Sequence, residues 1–394
     1  MHYQNVVNQK IIPVLFYAVC FSLMMKTAVF SILIALLVLL WIFSGEYKTK
    51  FALMANSRAV VAPLILFSLL AVGMLYADVS WHEKFPMFLK YHKLLYIPLV
   101  ISIVQTEQQR RGAMNAFLIA SILVLFLSYS EWLGFIPFND IGQGYIVTKG
   151  RIAHNIIMAF ATFVMLHRIV KSQGSYRWTW IILILMAIAN IFLMVNGRTG
   201  QVILLCLLVL FSWQVWRFSS VKYLVIATLF ILLIPKFTHF ESIARLQGVY
   251  KEAHDPKDSA GQRVTFYKNT FEIIKANPLY GVGTGGFKKA YHEQIQNKPD
   301  VFDTANPHNE FLRIAAEIGL IGLGVFLFLL YSQWRMSYQL LSVTDGYLLQ
   351  GLLICFGVGC LMNSLLLDTG EGRFYTVIVG ILLSGLKTRT EVAR

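Results

Sequence analysis

Residues 306–324 read Asn-Pro-His-Asn-Glu-Phe-Leu-Arg-Ile-Ala-Ala-Glu-Ile-Gly-Leu-Ile-Gly-Leu-Gly, and the chain stays apolar through Leu330. Asn306 before Pro307 predicts a helix start, because Asn caps and Pro is tolerated in a first turn whose N–H groups have no partner. His308 and Asn309 are then expected in that first turn, where a helix enters a membrane. The positive end of the helix dipole favours anions and disfavours an imidazolium, so His308 is expected to be neutral and able to accept a proton. A simpler role for the same histidine is to cap a transmembrane helix.

Outward from this stretch the chain keeps the same character. Of 394 residues, 57% are hydrophobic and 14% charged, too apolar for an ordinary soluble protein. The expected fold class is an all-α polytopic membrane protein of about twelve spans. The apolar runs are 11–25, 27–43, 59–76, 94–105, 113–133, 152–170, 178–195, 200–216, 221–235, 311–334, 347–367 and 374–386. Run 94–105 is short enough to be tilted or partly interfacial. The expected organisation is 1–235 with nine spans, a large periplasmic loop 236–310 containing helices, and 311–394 with three spans.

With the N-terminus in the cytoplasm, 15 Lys and Arg fall on the inner side and 8 on the short outer loops, so the positive-inside rule favours N-in. The formal net charge of +14 then reflects topology and an anionic ligand, because no soluble face gathers basic residues for nucleic acid. The four cysteines, Cys20, Cys206, Cys355 and Cys360, all fall within spans and read as packing residues. Residues 11–25 resemble a signal sequence but lack an Ala-x-Ala site, so they count as the first span.

Polar residues gather at the outer face. In residues 77–93, aromatics among Lys84, Lys90 and Lys93 form an interfacial belt, or Lys93 enters a cavity and meets a phosphate. Arg151 and His154-Asn155 open another span. They line a polar cavity, or they are a snorkelling arginine with a capping cluster. Residues 196–201, Asn-Gly-Arg-Thr-Gly-Gln, predict a tight turn in which Asn-Gly supplies positive-φ positions and holds Arg198 at the membrane surface. A guanidinium there matches phosphate oxygens bidentately. In the long loop, apolar positions 264, 267, 271 and 274 recur at helical spacing, with Arg263 near the helix start and Lys268 and Lys275 on a solvated face. Residues 281–286, Gly-Val-Gly-Thr-Gly-Gly, match G-x-G-x-x-G, but no βαβ unit surrounds them. They read as a compact turn that lets backbone approach another element. Asp368 and Arg373 fall in the last outer loop. Zincin, G-x-S-x-G and P-loop spacings are absent.

Arg198 in a turn, Arg263 in a long loop and His308-Asn309 at its exit resemble the O-antigen ligase family, within the superfamily that includes O-antigen polymerases and protein O-oligosaccharyltransferases. The ligase pattern is His, then Asn, Ser or Gln, nine residues, Gly, two residues, and Gly, Thr or Tyr. Here it reads His308, Asn309, residues 310–318, Gly319, Leu320, Ile321 and Gly322. Asn-Gly-Arg-Thr-Gly and Asn-Pro-Leu-Tyr-Gly-Val-Gly-Thr-Gly-Gly-Phe are also superfamily-like. The resemblance implies transfer of a glycan from undecaprenyl pyrophosphate to lipid A–core oligosaccharide at the periplasmic face of the bacterial inner membrane, with no cofactor, nucleotide sugar or metal. It implies His308, Arg198 and Arg263 as catalytic residues, with Lys93 and Asp368 as substrate-binding ones; Arg151, in the first turn of its span, and Asn309, beside His308, are expected to bind substrate with them. A single base with a good leaving group suits a one-step, inverting displacement. Two rivals remain: a polymerase or protein oligosaccharyltransferase sharing the arginines, and a polyprenyl-linked glycan transporter without catalysis.

Overall fold

In the computed structural model, which describes residues 7–137, 144–216, 258–299 and 301–386, every regular element among the described residues is helical. In chain order these are α1 (Ile12–Ser22), α2 (Thr27–Phe43), α3 (Tyr47–Asn56), α4 (Val61–Tyr76), α5 (Trp81–Leu89), α6 (Tyr96–Ile103), α7 (Glu107–Trp132) and α8 (Arg151–Lys171). They continue with α9 (Gly174–Ala189), α10 (Arg198–Trp216), α11 (Ser259–Ala276), α12 (Phe287–Ile295), α13 (Glu310–Ser337), α14 (Val343–Met362) and α15 (Thr369–Leu383).

Starts are set by side chains that accept the first free N–H groups. Thr106 caps α7 from Gln109, and Ser342 caps α14 from Asp345. Among the described residues, seven helices are long and apolar enough to cross a membrane: Arg58–Tyr76, Glu107–Trp132, Arg151–Lys171, Gly174–Met194, Arg198–Trp216, Glu310–Ser337 and Val343–Met362. An eighth span results if α2 and α3, bent by 114°, count as one. The chain is therefore a multi-pass membrane protein. The other apolar runs give shorter helices, α1, α6 and α15, and run 221–235 lies outside the described residues, as do His239, Arg245 and His254. Run 94–105 illustrates the shortfall. Its eight-residue α6 rises only ~12 Å against a hydrocarbon core of ~30 Å. Every residue of α6 is buried, so this run is apolar because it lies inside the bundle.

The main core lies between α1, α4, α6–α10, α13, α14 and α15. A second, smaller cluster joins Phe266, Ile273 and Ile274 of α11 and Phe287, Tyr291 and Ile295 of α12 to Ala315 and Ala316 of α13. Residues 258–299 thus dock on the first half of α13 (α11, α12). The helix predicted over 262–277 is present, but only part of the expected stripe is inside: Ile274 is buried and Tyr267 half-buried. Val264 and Phe271 are exposed, and the buried stripe is Phe266, Thr270, Ile273 and Ile274. Both stripes are apolar, and docking on α12 and α13 decides between them.

Residues 278–286 form the expected compact turn, wrapped around a break in α13. Val282 N donates to Ala316 O (2.9 Å), Gly283 N to Glu317 O (2.8 Å) and Leu320 N to Pro278 O (2.8 Å). These bonds replace helix bonds lost at Ile318–Gly319. Gly319 has φ +68°, and a Cβ there would lie 2.0 Å from Leu279 O, so only glycine fits.

Candidate active site

The turn before α10 places Arg198. A π-helical segment, Asn190–Met194, ends the previous helix, and Val195 pairs with Gly144 in an isolated antiparallel bridge. Asn155, one turn into α8, donates its Nδ2 to Gly197 O (3.1 Å) and fixes the turn from below. The glycines serve this approach rather than backbone handedness. Neither Asn196 nor Gly197 has positive φ, contrary to expectation. A Cβ on Gly197 would meet Asn155 Nδ2 at 2.5 Å, and one on Gly200 would meet Asn155 Cβ at 2.3 Å. Arg198 is the first residue of α10, half-buried at the mouth of the bundle. Of the polar trio that opens α8, Arg151 reaches this site, His154 Nε2 bonds Asn190 Oδ1 (2.8 Å), and Asn155 holds the turn.

Arg263, in the first turns of α11, comes to the same place. Its Nη2 donates to Asn363 Oδ1 (3.3 Å), and Asn363 Nδ2 donates to Thr199 Oγ1 (3.2 Å). One buried carboxamide at the end of α14 therefore ties Arg263 to the neighbour of Arg198. Burial pushes the Arg263 guanidinium below its ordinary range, and the positive charges of Arg198 and Arg151 push it further. Like charges drawn together at a bundle mouth are costly unless an anion is the intended occupant.

His308 faces Arg263. The predicted helix start at Asn306-Pro307 is not observed. The helix begins at Glu310, and Asn309 caps it, with Oδ1 accepting from Leu312 N (3.1 Å). His308 lies outside the helix with φ +55°, unusual for a residue bearing Cβ and costing ~1–3 kcal/mol. Asn306 does not cap. Its Oδ1 accepts from His308 N (3.0 Å) and Ser364 Oγ (2.6 Å), which holds the strained turn. Tyr267 of α11 donates its hydroxyl to Leu361 O (2.9 Å) and His308 O (3.2 Å), and Asn309 Nδ2 also donates to Leu361 O (3.2 Å). The imidazole stacks on Phe266, with centroids 6.1 Å apart. Burial first, then the Arg263 charge, holds His308 below the ordinary histidine range, so the ring is neutral at neutral pH.

Lys93 and Asp368 belong to an adjoining cluster. Lys93 is buried, and its Nζ donates to Leu367 O (3.1 Å) and Asp368 O (2.7 Å). It is therefore bonded to backbone at the start of α15, where a cavity-facing phosphate ligand had been expected. The charges around it are Glu310, Asp368, Glu371 and Arg373. Burial pushes the Asp368 carboxyl up, while Lys93 and Lys90 draw it back down.

Several residues that position the site carry no motif. Glu310 Oε2 accepts from Leu366 N (2.7 Å) and Leu367 N (3.2 Å), pinning the segment with Asn363 and Asp368 to the start of α13. Arg313 donates to Glu317 Oε1 (2.8 Å) and Ala305 O (2.6 Å), and Gly285 N donates to the same Glu317 oxygen (3.0 Å). A pair of opposite charges four residues apart in an apolar run is a visible signal for this last arrangement. Asn363 has none, because one asparagine after an apolar run reads as a helix end.

Residues 181–327 match the family described as O-Antigen ligase, and that region contains Arg198, Arg263 and His308. This stretch of the chain is similar to the O-antigen ligase family. This family comprises membrane glycosyltransferases that act on lipid-linked glycans. Arg151, Asn363 and Asp368, which converge on the site or its frame, lie outside the matched region. A chain from a solved peptidoglycan synthase complex shares the fold with a TM-score of 0.51 at 14% identity, covering 85% of this chain and 98% of that one. No curated protein matches the chain in sequence.

Proposed function

We propose that the chain is an O-antigen ligase. It transfers a glycan from undecaprenyl pyrophosphate to a sugar hydroxyl of lipid A–core oligosaccharide at the periplasmic face of the inner membrane. The observation that carries this reading is the convergence of Arg263 with Arg198, Arg151 and a neutral His308 at one mouth of the bundle. The acceptor hydroxyl attacks the anomeric carbon and gives its proton to the imidazole. The new glycosidic C–O bond forms as the anomeric C–O bond to phosphate breaks, and the pyrophosphate leaves with the electron pair. Charge grows on phosphate oxygens, and the arginines face it. One such donor is typically worth ~3–4 kcal/mol, and a positioned base ~10²–10⁴-fold. Displacement in one step inverts the anomeric centre. Asn309 fixes the backbone beside the base, while Lys93 and Asp368 act on the frame of the site.

The test is transfer by purified protein supplied with lipid-linked glycan and lipid A–core. Glycan on lipid A–core, undiminished by EDTA, supports the proposal. Growth of the lipid-linked chain with no transfer to lipid A–core replaces it with the polymerase reading. The orientation, N-terminus cytoplasmic and site periplasmic, is tested by a cysteine at exposed Lys268. Labelling by an impermeant reagent from the cytoplasmic side only would overturn it.

A further inference from the structure

A second basic site lies at the other end of the bundle. Helix α8 runs from Arg151, in the candidate active site, to Lys171 over 21 residues, a length of ~30 Å. Helix α14 runs back from Asp345 to the capping position at Asn363. Where α8 ends, the start of α7 and the start of α14 meet it around a cavity of about 260 Å³. That volume lies just under the usual range for small-molecule sites, ~300–1,000 Å³, and suits an ion or a headgroup.

The cavity is built from charged groups on all three helices. Arg110, Arg111, Arg168 and Lys171 line it, with two carboxylates, Glu107 and Asp345. Both carboxylates are engaged. Arg110 Nε meets Asp345 Oδ2 at 3.3 Å, and Arg111 pairs with Glu107 one turn before it. Arg168 instead donates to the neutral Asn115 Oδ1 (2.5 Å), while lying within electrostatic reach of both Arg111 and Asp345. The cavity thus keeps an excess of two positive charges. His167 adds no donor, because its Nε2 is bonded to Gln214 Oε1 (3.1 Å) and its ring is held between Phe163 and Phe211. Basic residues that only set topology would stand on solvated loops. Here Arg110 is buried and Arg168 half-buried, against a wall that includes Met114, Val164 and Leu348, while Arg111 and Lys171 stand exposed at the rim.

We infer that this cavity binds a phosphate group, with Arg168 and Lys171 as its main ligands and the Arg110–Asp345 pair as its rigid wall. A guanidinium matches phosphate oxygens bidentately, and basic pockets between helix ends take anionic headgroups. The phosphate is either the phosphodiester of an anionic membrane lipid or a free phosphate ion. The inference does not depend on the ligase reading.

The full chain in neutral detergent is heated with phosphatidylglycerol, with zwitterionic phosphatidylcholine, or with inorganic phosphate against chloride at equal ionic strength. Phosphatidylglycerol or phosphate is expected to raise Tm, and phosphatidylcholine is not. A rise with phosphatidylglycerol alone identifies a lipid site, and a rise with phosphate alone a soluble ligand. Arg168→Gln with Lys171→Gln spares the Arg110–Asp345 pair and is expected to weaken binding by roughly tenfold or more, the scale of one charged hydrogen bond. A Tm rise of equal size in this double variant, or none in the unmodified protein, overturns the inference. Should the double variant not fold, native mass spectrometry of the unmodified protein decides. Retained phosphatidylglycerol that inorganic phosphate displaces supports the site, and no retained lipid together with no Tm rise rejects it.

Discussion

Two clusters of charge stand side by side at the start of α13, and they are built on opposite principles. In the buried one, Arg313 and Glu317 are 1% and 0% exposed and bonded at 2.8 Å, and one oxygen of Glu310 accepts from two backbone N–H groups. Charge there is cancelled locally, and the bonds of Arg313 to Ala305, of Glu317 to Gly285 and of Glu310 to Leu366 join other segments to α13. In the half-buried one, Arg263 is bonded to a neutral carboxamide, and besides Tyr267 the groups acting on it, Arg198 and Arg151, share its sign. Charge there accumulates beside the neutral His308. The first cluster spends its polar groups on architecture, and the second is the one we propose meets the substrate. Residue type alone does not separate the two, since both contain arginine at a membrane edge; the sign of the neighbours does.

This contrast can be broken most sharply at His308. His308→Gln keeps a polar side chain but cannot take a proton, so transfer should fall by ~10²–10⁴-fold, the range for a general base, while Tm stays unchanged. Transfer at an undiminished rate would make His308 a positioning residue. Glu317→Leu attacks the other cluster. It leaves Arg313 buried without its partner and Gly285 N without an acceptor, and should cost ~3–5 kcal/mol of stability, read from chemical or thermal unfolding. Unchanged stability would remove the buried pair from the framework.

Arg263→Gln should show the reverse pattern: turnover lower by ~10²–10³-fold, the scale of one charge-stabilising donor, with no loss of Tm because a like-charge contact is relieved. Arg263→Lys should recover little, since a point charge lacks the guanidinium fork. A lower Tm in Arg263→Gln would move Arg263 into the architectural class. The smallest effect sharpens the comparison. In the proposed mechanism His308 works unprotonated, so kcat/KM should be full above its folded pKa and fall as pH drops through it. Burial and Arg263 hold that pKa below the ordinary 6.5. Removing the Arg263 charge should move the acid limb to higher pH. An unmoved limb would mean that the two groups do not share a site.

The residues proposed to carry the chemistry stand out in the sequence. His308, Asn309, Arg198, Arg263 and Arg151 stand at membrane edges where a charged or ionisable group has few other uses, and their physical types suggested phosphate and proton transfer. What holds them was not legible. Asn363 joins Arg263 to Thr199 across a sequence distance of 164 residues on one side and 100 on the other, and no local pattern encodes that. Lys93 read as a phosphate ligand because a lysine at a span boundary has two solutions, a ligand or backbone carbonyls, and the chain 274 residues later supplies the carbonyls. The helix start was displaced for a similar reason. Asn306-Pro307 has the chemistry of a cap, but Ser364 takes up the Asn306 oxygen, and the next asparagine does the capping.

The break at Gly319 turns the family's nine-residue spacing into a clock setting. Asn309 fixes one end of a nine-residue rod, and the turn 278–283, threaded through the break, fixes the other. Each residue of an α-helix advances ~100° and ~1.5 Å. One residue inserted between 310 and 318 would therefore rotate the capped end, and His308 with it, by more than a quarter of a circle relative to Arg263. The loop at Gly319 would still be seated and the membrane half of α13 undisturbed. Activity would be lost through angle alone, and a compensating deletion elsewhere in the rod would bring the base back to face its arginines.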